Sequence, residues 1–101
     1  MNLKIQTVHF APASSLIELV KRKVEKLPTF ESRITDVCVF LKLDNPSHTI
    51  KDKVVEVRVH IPRYDFFVKT TSKNFEHSVE DAFASLVSQM KRKKDRVLST
   101  S

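Results

Sequence analysis

Lys53-Val54-Val55-Glu56-Val57-Arg58-Val59-His60-Ile61 is the stretch that decides the fold. Val55, Val57, Val59 and Ile61 alternate with Glu56, Arg58 and His60. A period of two makes a β-strand with one dry and one wet face. Working outward, residues 33–43 read as a longer strand of the same kind. Val37, Val39, Leu41 and Leu43 share one face, and Asp36, Cys38, Phe40 and Lys42 the other. The polar stretch 44–48, Asp-Asn-Pro-Ser-His, is a loop between the two strands. After Ile61, the sequence Pro62-Arg63-Tyr64-Asp65 supplies a turn without glycine, and residues 66–71 form a further strand with Phe66 and Val68 inward. Near the N-terminus, residues 3–8 alternate as a short half-buried strand, with Leu3 and Ile5 on one side and Lys4 and Gln6 on the other.

Two segments carry helical spacing instead. Leu16, Ile17, Val20, Val24 and Leu27 recur at one, three or four residues. Ser15 with Glu18 can form a capping box, and Pro28 stops the helix. From about Phe75, with Asn74 as its N-cap, Val79, Ala82, Phe83, Leu86 and Met90 make a second apolar stripe. The order is β-α-β-β-β-α, an α+β class. Strands with one dry face and two one-striped helices predict a four-stranded mixed sheet with two helices packed on one face. The last three strands, joined by short connections, run antiparallel. The crossover through the first helix sets the first strand parallel to the second. We expect a single domain over residues 1–98 and a disordered tail at 99–101.

Composition narrows the chemistry. The chain has 101 residues, 41% apolar and 30% charged, with no glycine. Phosphate loops, dinucleotide fingerprints and nucleophile elbows built on glycine are excluded. One cysteine, Cys38, cannot form an intramolecular disulfide or a cysteine metal cluster. No apolar run is long enough for a membrane span, and the N-terminus lacks the apolar block of a signal peptide. The expectation is a cytoplasmic domain, monomeric when free. His9, His48, His60 and His77 lack metal-site spacing, and Cys38 has no histidine beside it on its strand face to act as a base. Neither catalysis nor a metal or cofactor is expected.

Charge points to binding. Lys and Arg number 18 against 12 Asp and Glu, a net charge of +6. Residues 21–26 carry net +3 and residues 91–96 net +4, so two short helical stretches hold the whole excess. Lys21, Arg22, Lys23 and Lys26 make up the first, and Lys91, Arg92, Lys93, Lys94 and Arg96 dominate the second. Side by side they would form one basic surface for a polyanion. A solvated helix face whose basic end suits the helix dipole is the plainer alternative. A basic helical face without base-reading aromatics suits phosphate and shape recognition. The element order resembles the double-stranded-RNA-binding α-β-β-β-α module with an extra leading strand.

The chain also resembles the short-form ribosome hibernation-promoting factors, a family also called ribosome-associated inhibitors or ribosomal subunit interface proteins. Met1-Asn2-Leu3-Lys4-Ile5 with His9 matches the family's start, and Lys23 with Glu25-Lys26-Leu27 the end of its first helix. Arg33-Ile34 with Val37, Val39, Leu41 and Lys42 matches its second strand, and Glu56-Val57 through His60-Ile61-Pro62 its third. Asn74, Val79, Glu80, Leu86, Gln89, Met90, Arg92 and Lys94 follow its second helix. The resemblance implies a non-enzymatic factor that occupies the mRNA and tRNA channel of the small (30S) ribosomal subunit within the 70S ribosome. It would block translation in stationary phase or stress, through basic helix faces set against 16S rRNA. It marks Lys23, Lys26, Arg92 and Lys94 as contacts; Lys21, Arg22, Lys91 and Lys93 join them from the charge pattern alone. Members usually carry basic residues where this chain has Ser85 and Ser88, and a glycine turn where it has 62–65. Long forms add a domain that pairs ribosomes, and the chain stops short of one. A general structured-RNA-binding or ribosome-assembly module, or a protein–protein regulatory domain, are the alternatives.

Overall fold

Period-two alternation becomes a sheet here, and period-three-and-four spacing becomes its cover. The structure is a computed structural model describing the backbone of residues 1–44 and 52–100 and the side chains of residues 1–43 and 52–93. The elements are β1 (Asn2–Val8), α1 (Ser14–Lys26), a short 3-10 turn (Leu27–Thr29), β2 (Asp36–Asp44), β3 (Asp52–Ile61), β4 (Tyr64–Ser72) and α2 (Phe75–Thr100). The expected loop at 44–48 lies, from Asn45 on, outside the described residues. Of the expected tail, Ser99 and Thr100 carry the helical backbone of α2, and Ser101 lies outside the described residues.

The sheet order is β1-β2-β3-β4. β1 runs parallel to β2, and the other pairs are antiparallel, as expected. The register sets Val39 opposite Val57, and Val57 opposite Val68, so the inward residues line up across the strands. These residues, Phe66 among them, form one buried cluster with Leu16, Val20 and Val24 of α1 and with Val79, Ala82, Phe83, Leu86 and Met90 of α2. Both helices therefore cover the same face.

Three local expectations need correction. β2 begins at Asp36, not Arg33; Arg33 precedes the strand and folds back on Glu31, its Nε donating to the carboxylate at 2.7 Å. That hydrogen bond raises the guanidinium's pKa further above its ordinary value. α1 is not opened by a capping box. Its N-cap is Ala13, without a side-chain cap, and the N–H groups of Leu16 and Ile17 both reach the Ala13 carbonyl. The helix thus starts before Ser15, which lies inside its first turn. Leu3 is 36% exposed because β1 is an edge strand. The Asn2 N–H donates to the carbonyl of Thr35, just before β2. In a parallel ladder the peptide groups of alternate residues then face β2, and those of Leu3, Ile5 and Thr7 face outward.

α2 is fixed at its start. Asn74 Oδ1 accepts the His77 N–H at 2.7 Å, the expected N-cap. The buried Ser78 hydroxyl donates to the Lys53 carbonyl, and the Thr70 hydroxyl donates to the Ser78 carbonyl, both at 2.7 Å. Further along, the Gln89 amide donates to the Phe67 carbonyl on the outer edge of β4.

The β3–β4 turn has two residues, Pro62 and Arg63. Proline fixes φ near −65°, and Arg63 has φ 68°. These are the signs of a type II turn, whose third position favours glycine or asparagine. Arg63 already bears the cost of a Cβ at positive φ, and Arg63→Val should lower stability further because a branched Cβ fits there worse, while Arg63→Asn should preserve or raise it; urea unfolding of both variants checks this. Phe83→Ala should cost about 3–5 kcal/mol, measured in the same way.

Candidate nucleic-acid interface

The expected basic residues sit on the outer surface of the helical layer. Lys21, Arg22 and Lys26 on α1 and Lys91 and Arg92 on α2 are exposed, while Lys23 and Lys93 are half-buried. Lys94 lies on the backbone of α2, and its side chain is outside the described residues.

The helices run side by side in the same sense. Ser15 and Leu19 near the start of α1 share a cleft with Asn74 and Glu76 at the start of α2. One turn on, Lys23 Nζ meets Glu80 at 2.6 Å. Past the end of α1, Lys91 Nζ lies 5.3 Å from the centre of the Phe30 ring. Because α2 is twice as long as α1, the end of α1 lies beside the stretch of α2 that begins at Lys91, and the two basic stretches meet there.

The layer is consequently polar along its length. Glu18 on α1 and Glu76, Glu80 and Asp81 on α2 are exposed toward the start. Lys26, Lys91 and Arg92 are exposed toward the far end, with Glu25 among them, while Arg22 lines the cleft with Glu76 and Glu80. Between them α2 shows Ala84, Ser85 and Ser88, all exposed and all neutral. The dipole of α1 favours Lys23 and Lys26 in its last turn.

Lys23 differs from the other candidates. Its side chain is 25% exposed and its ammonium is already matched by Glu80. Sequence spacing cannot reveal that bond, because it joins residues 57 positions apart on different helices. Lys93 was placed only by charge. Its Nζ stands 3.9 Å from the centre of the Tyr64 ring, on the hairpin side of α2.

The open sheet face has its own pairings. Lys42 meets Glu56 at 2.5 Å, and His60 Nδ1 meets Asp65 Oδ1, its cross-strand neighbour, at 2.5 Å. Arg58 lies over the ring of Phe67, which is 45% exposed. Cys38 is half-buried beside Arg58 in the register. Among the described residues, no three His, Cys, Asp or Glu side chains converge in a way that could hold a metal ion. No helix among them is long and apolar enough to cross a membrane.

The Lys23–Glu80 pair is partly exposed, so its coupling in a double-mutant cycle should be about 0.2–1 kcal/mol. Thermal or urea unfolding of Lys23→Ala, Glu80→Ala and the double variant measures it.

Comparison with known proteins gives the family and the fold. A family model described as "Sigma 54 modulation protein / S30EA ribosomal protein" matches residues 3–98. No curated protein sequence matches the chain. Among solved structures, the chain is similar to a ribosomal subunit interface protein from Coxiella burnetii. That likeness has 16% identity and a TM-score of 0.82, covering 94% of this chain and 99% of the other. It is also similar to the N-terminal domain of Thermus thermophilus Protein Y, at 19% identity and a TM-score of 0.75, covering 91% of this chain and 98% of that domain. At such identities the likeness to the two structures is one of fold.

Proposed function

Because this chain belongs to the sigma 54 modulation protein / S30EA ribosomal protein family, we propose that it is a ribosome hibernation factor. It binds the small ribosomal subunit in the channel used by mRNA and tRNA, and inhibits translation by occupying that space in stationary phase or stress. The single observation that carries the reading is the meeting of two separate basic stretches at one end of a parallel helix pair. Lys26 ends α1, Lys91 overhangs Phe30 just beyond it, and Arg92 is exposed on the next position of α2.

The chemistry suits a folded RNA. Phosphates on neighbouring strands of rRNA present closely spaced negative charge, and a cluster of lysine and arginine exchanges for their counterions. A rigid domain held by such contacts excludes other ligands by volume and needs no bond to be made or broken. Lys21, Arg22, Lys26, Lys91, Arg92, Lys93 and Lys94 are the proposed contacts. Lys23 contributes only after Glu80 is displaced. The neutral Ser85 and Ser88 confine the contact to the helix ends. The name of one similar structure, a ribosomal subunit interface protein, supports the ribosome as the partner.

Co-sedimentation with vacant ribosomes and separated subunits across a salt series tests this. Saturable binding to the small subunit, competed by tRNA and mRNA, is expected. The logarithm of affinity should fall with the logarithm of salt by about 0.7–0.9 per phosphate neutralised. Lys26→Glu with Arg92→Glu should weaken binding and flatten that slope. A slope that is flat in the unaltered protein would overturn the phosphate-contact model. Glu80→Gln, which releases Lys23, should tighten binding at low salt.

A further inference from the structure

Tyr64 is a partly exposed aromatic ring set in basic surroundings. It is 43% exposed at the first position of β4. It is paired with Ile61 in the register and lies on the helix-covered side of the sheet. Its ring meets the edge of Phe66 at 4.8 Å with the planes 73° apart. Lys93 Nζ, from the basic end of α2, lies 3.9 Å from its centre. The residue before it is Arg63, exposed and held at φ 68°.

That pair of residues is unusual on physical grounds. A left-handed backbone position in a two-residue turn is served at least cost by glycine or asparagine, yet the chain keeps an arginine there. An exposed ring beside it buries only part of its apolar surface. Backbone strain retained next to an exposed aromatic suggests a contact made outside the fold. Lys93 covers the ring from one side, so a base would stack on the part of the ring that stays exposed, with the ammonium beside it.

Resting on the ribosome-binding reading, we propose that Tyr64 is a stacking platform for an unpaired RNA base, with Arg63 and Lys93 holding the phosphates of that nucleotide. Recognition of RNA by shape and phosphate alone places a domain on a backbone. Stacking of a splayed base on an aromatic side chain fixes it at one nucleotide. The site adds that element at the hairpin side of α2, whereas Lys91 and Lys26 lie on the side of α1. The RNA would then be gripped from both flanks of the second helix.

The chain contains no tryptophan, so Tyr64→Trp introduces a single indole reporter at the site. Its emission should be quenched on titration with vacant ribosomes, and its affinity should equal or exceed that of the unaltered protein. Tyr64→Leu keeps apolar cover over Phe66 and should lose affinity by about 5- to 150-fold, the range of one base–aromatic stack. Its salt slope should be unchanged, because no charge is removed. Circular dichroism and urea midpoints confirm that the variants fold. Unaltered affinity in Tyr64→Leu, or an indole whose emission does not respond to bound ribosomes, would overturn the stacking site while leaving the ribosome reading intact. Absence of ribosome binding by every form, the unaltered protein included, would overturn both.

Discussion

A single dry face governs this molecule. The inward valines of β2 and β3 and Phe66 and Val68 of β4 form a continuous apolar surface that water must not reach. One helix covers too little of it, so two are needed, and both must lie on the same side. The parallel β1–β2 pair requires a long connection, and α1 is that connection. Covering the sheet and making the crossover are therefore the same act. α2 completes the cover and is locked at its start by Asn74 and Ser78.

Function follows from how those two helices must lie. A pair running in the same sense, with its starts aligned, sets the end of α1 beside the basic stretch of α2. The dipole of α1 favours Lys23 and Lys26 in its last turn, and that of α2 favours Glu76 in its first. The fold thus sorts charge along its helical layer before any partner arrives. A polyanion meets a graded surface, attractive at one end and repulsive at the other, which orients the approach as well as strengthening it.

Most of the fold was legible because periodicity reports local geometry. Val55, Val57, Val59 and Ile61 declare a face whatever lies opposite them, and the spacing from Val79 to Met90 does the same for α2. What was illegible depends on where the chain returns in space. His60 reads as a solvated surface residue until the register sets Asp65 opposite it. Lys23 reads as a free cation until the helices align it with Glu80. Phe10 stacks on Phe75 at 4.7 Å across the start of both helices, and no local pattern announces that contact. Leu3 failed in the opposite sense: its alternation is correct, but an edge strand has no neighbour to bury it. At the candidate site, the charge clusters were visible as composition. Their convergence, and the ring of Tyr64 beneath Lys93, needed the structure.

The exposed margin of β1 has a cost outside binding. Leu3, Ile5 and Thr7 present unpaired peptide groups along a strand with no proline, bulge or glycine to blunt it, and Lys4 is its one charged residue. Nothing in the strand's own shape discourages a second copy from adding on. Mutual repulsion between molecules of net charge +6 is then the main guard on colloidal behaviour. The same lysines and arginines that would seat the domain on RNA also keep it dispersed before it gets there. Neutralising them, by salt or by a bound polyanion, removes that guard at the moment the domain is meant to stop moving.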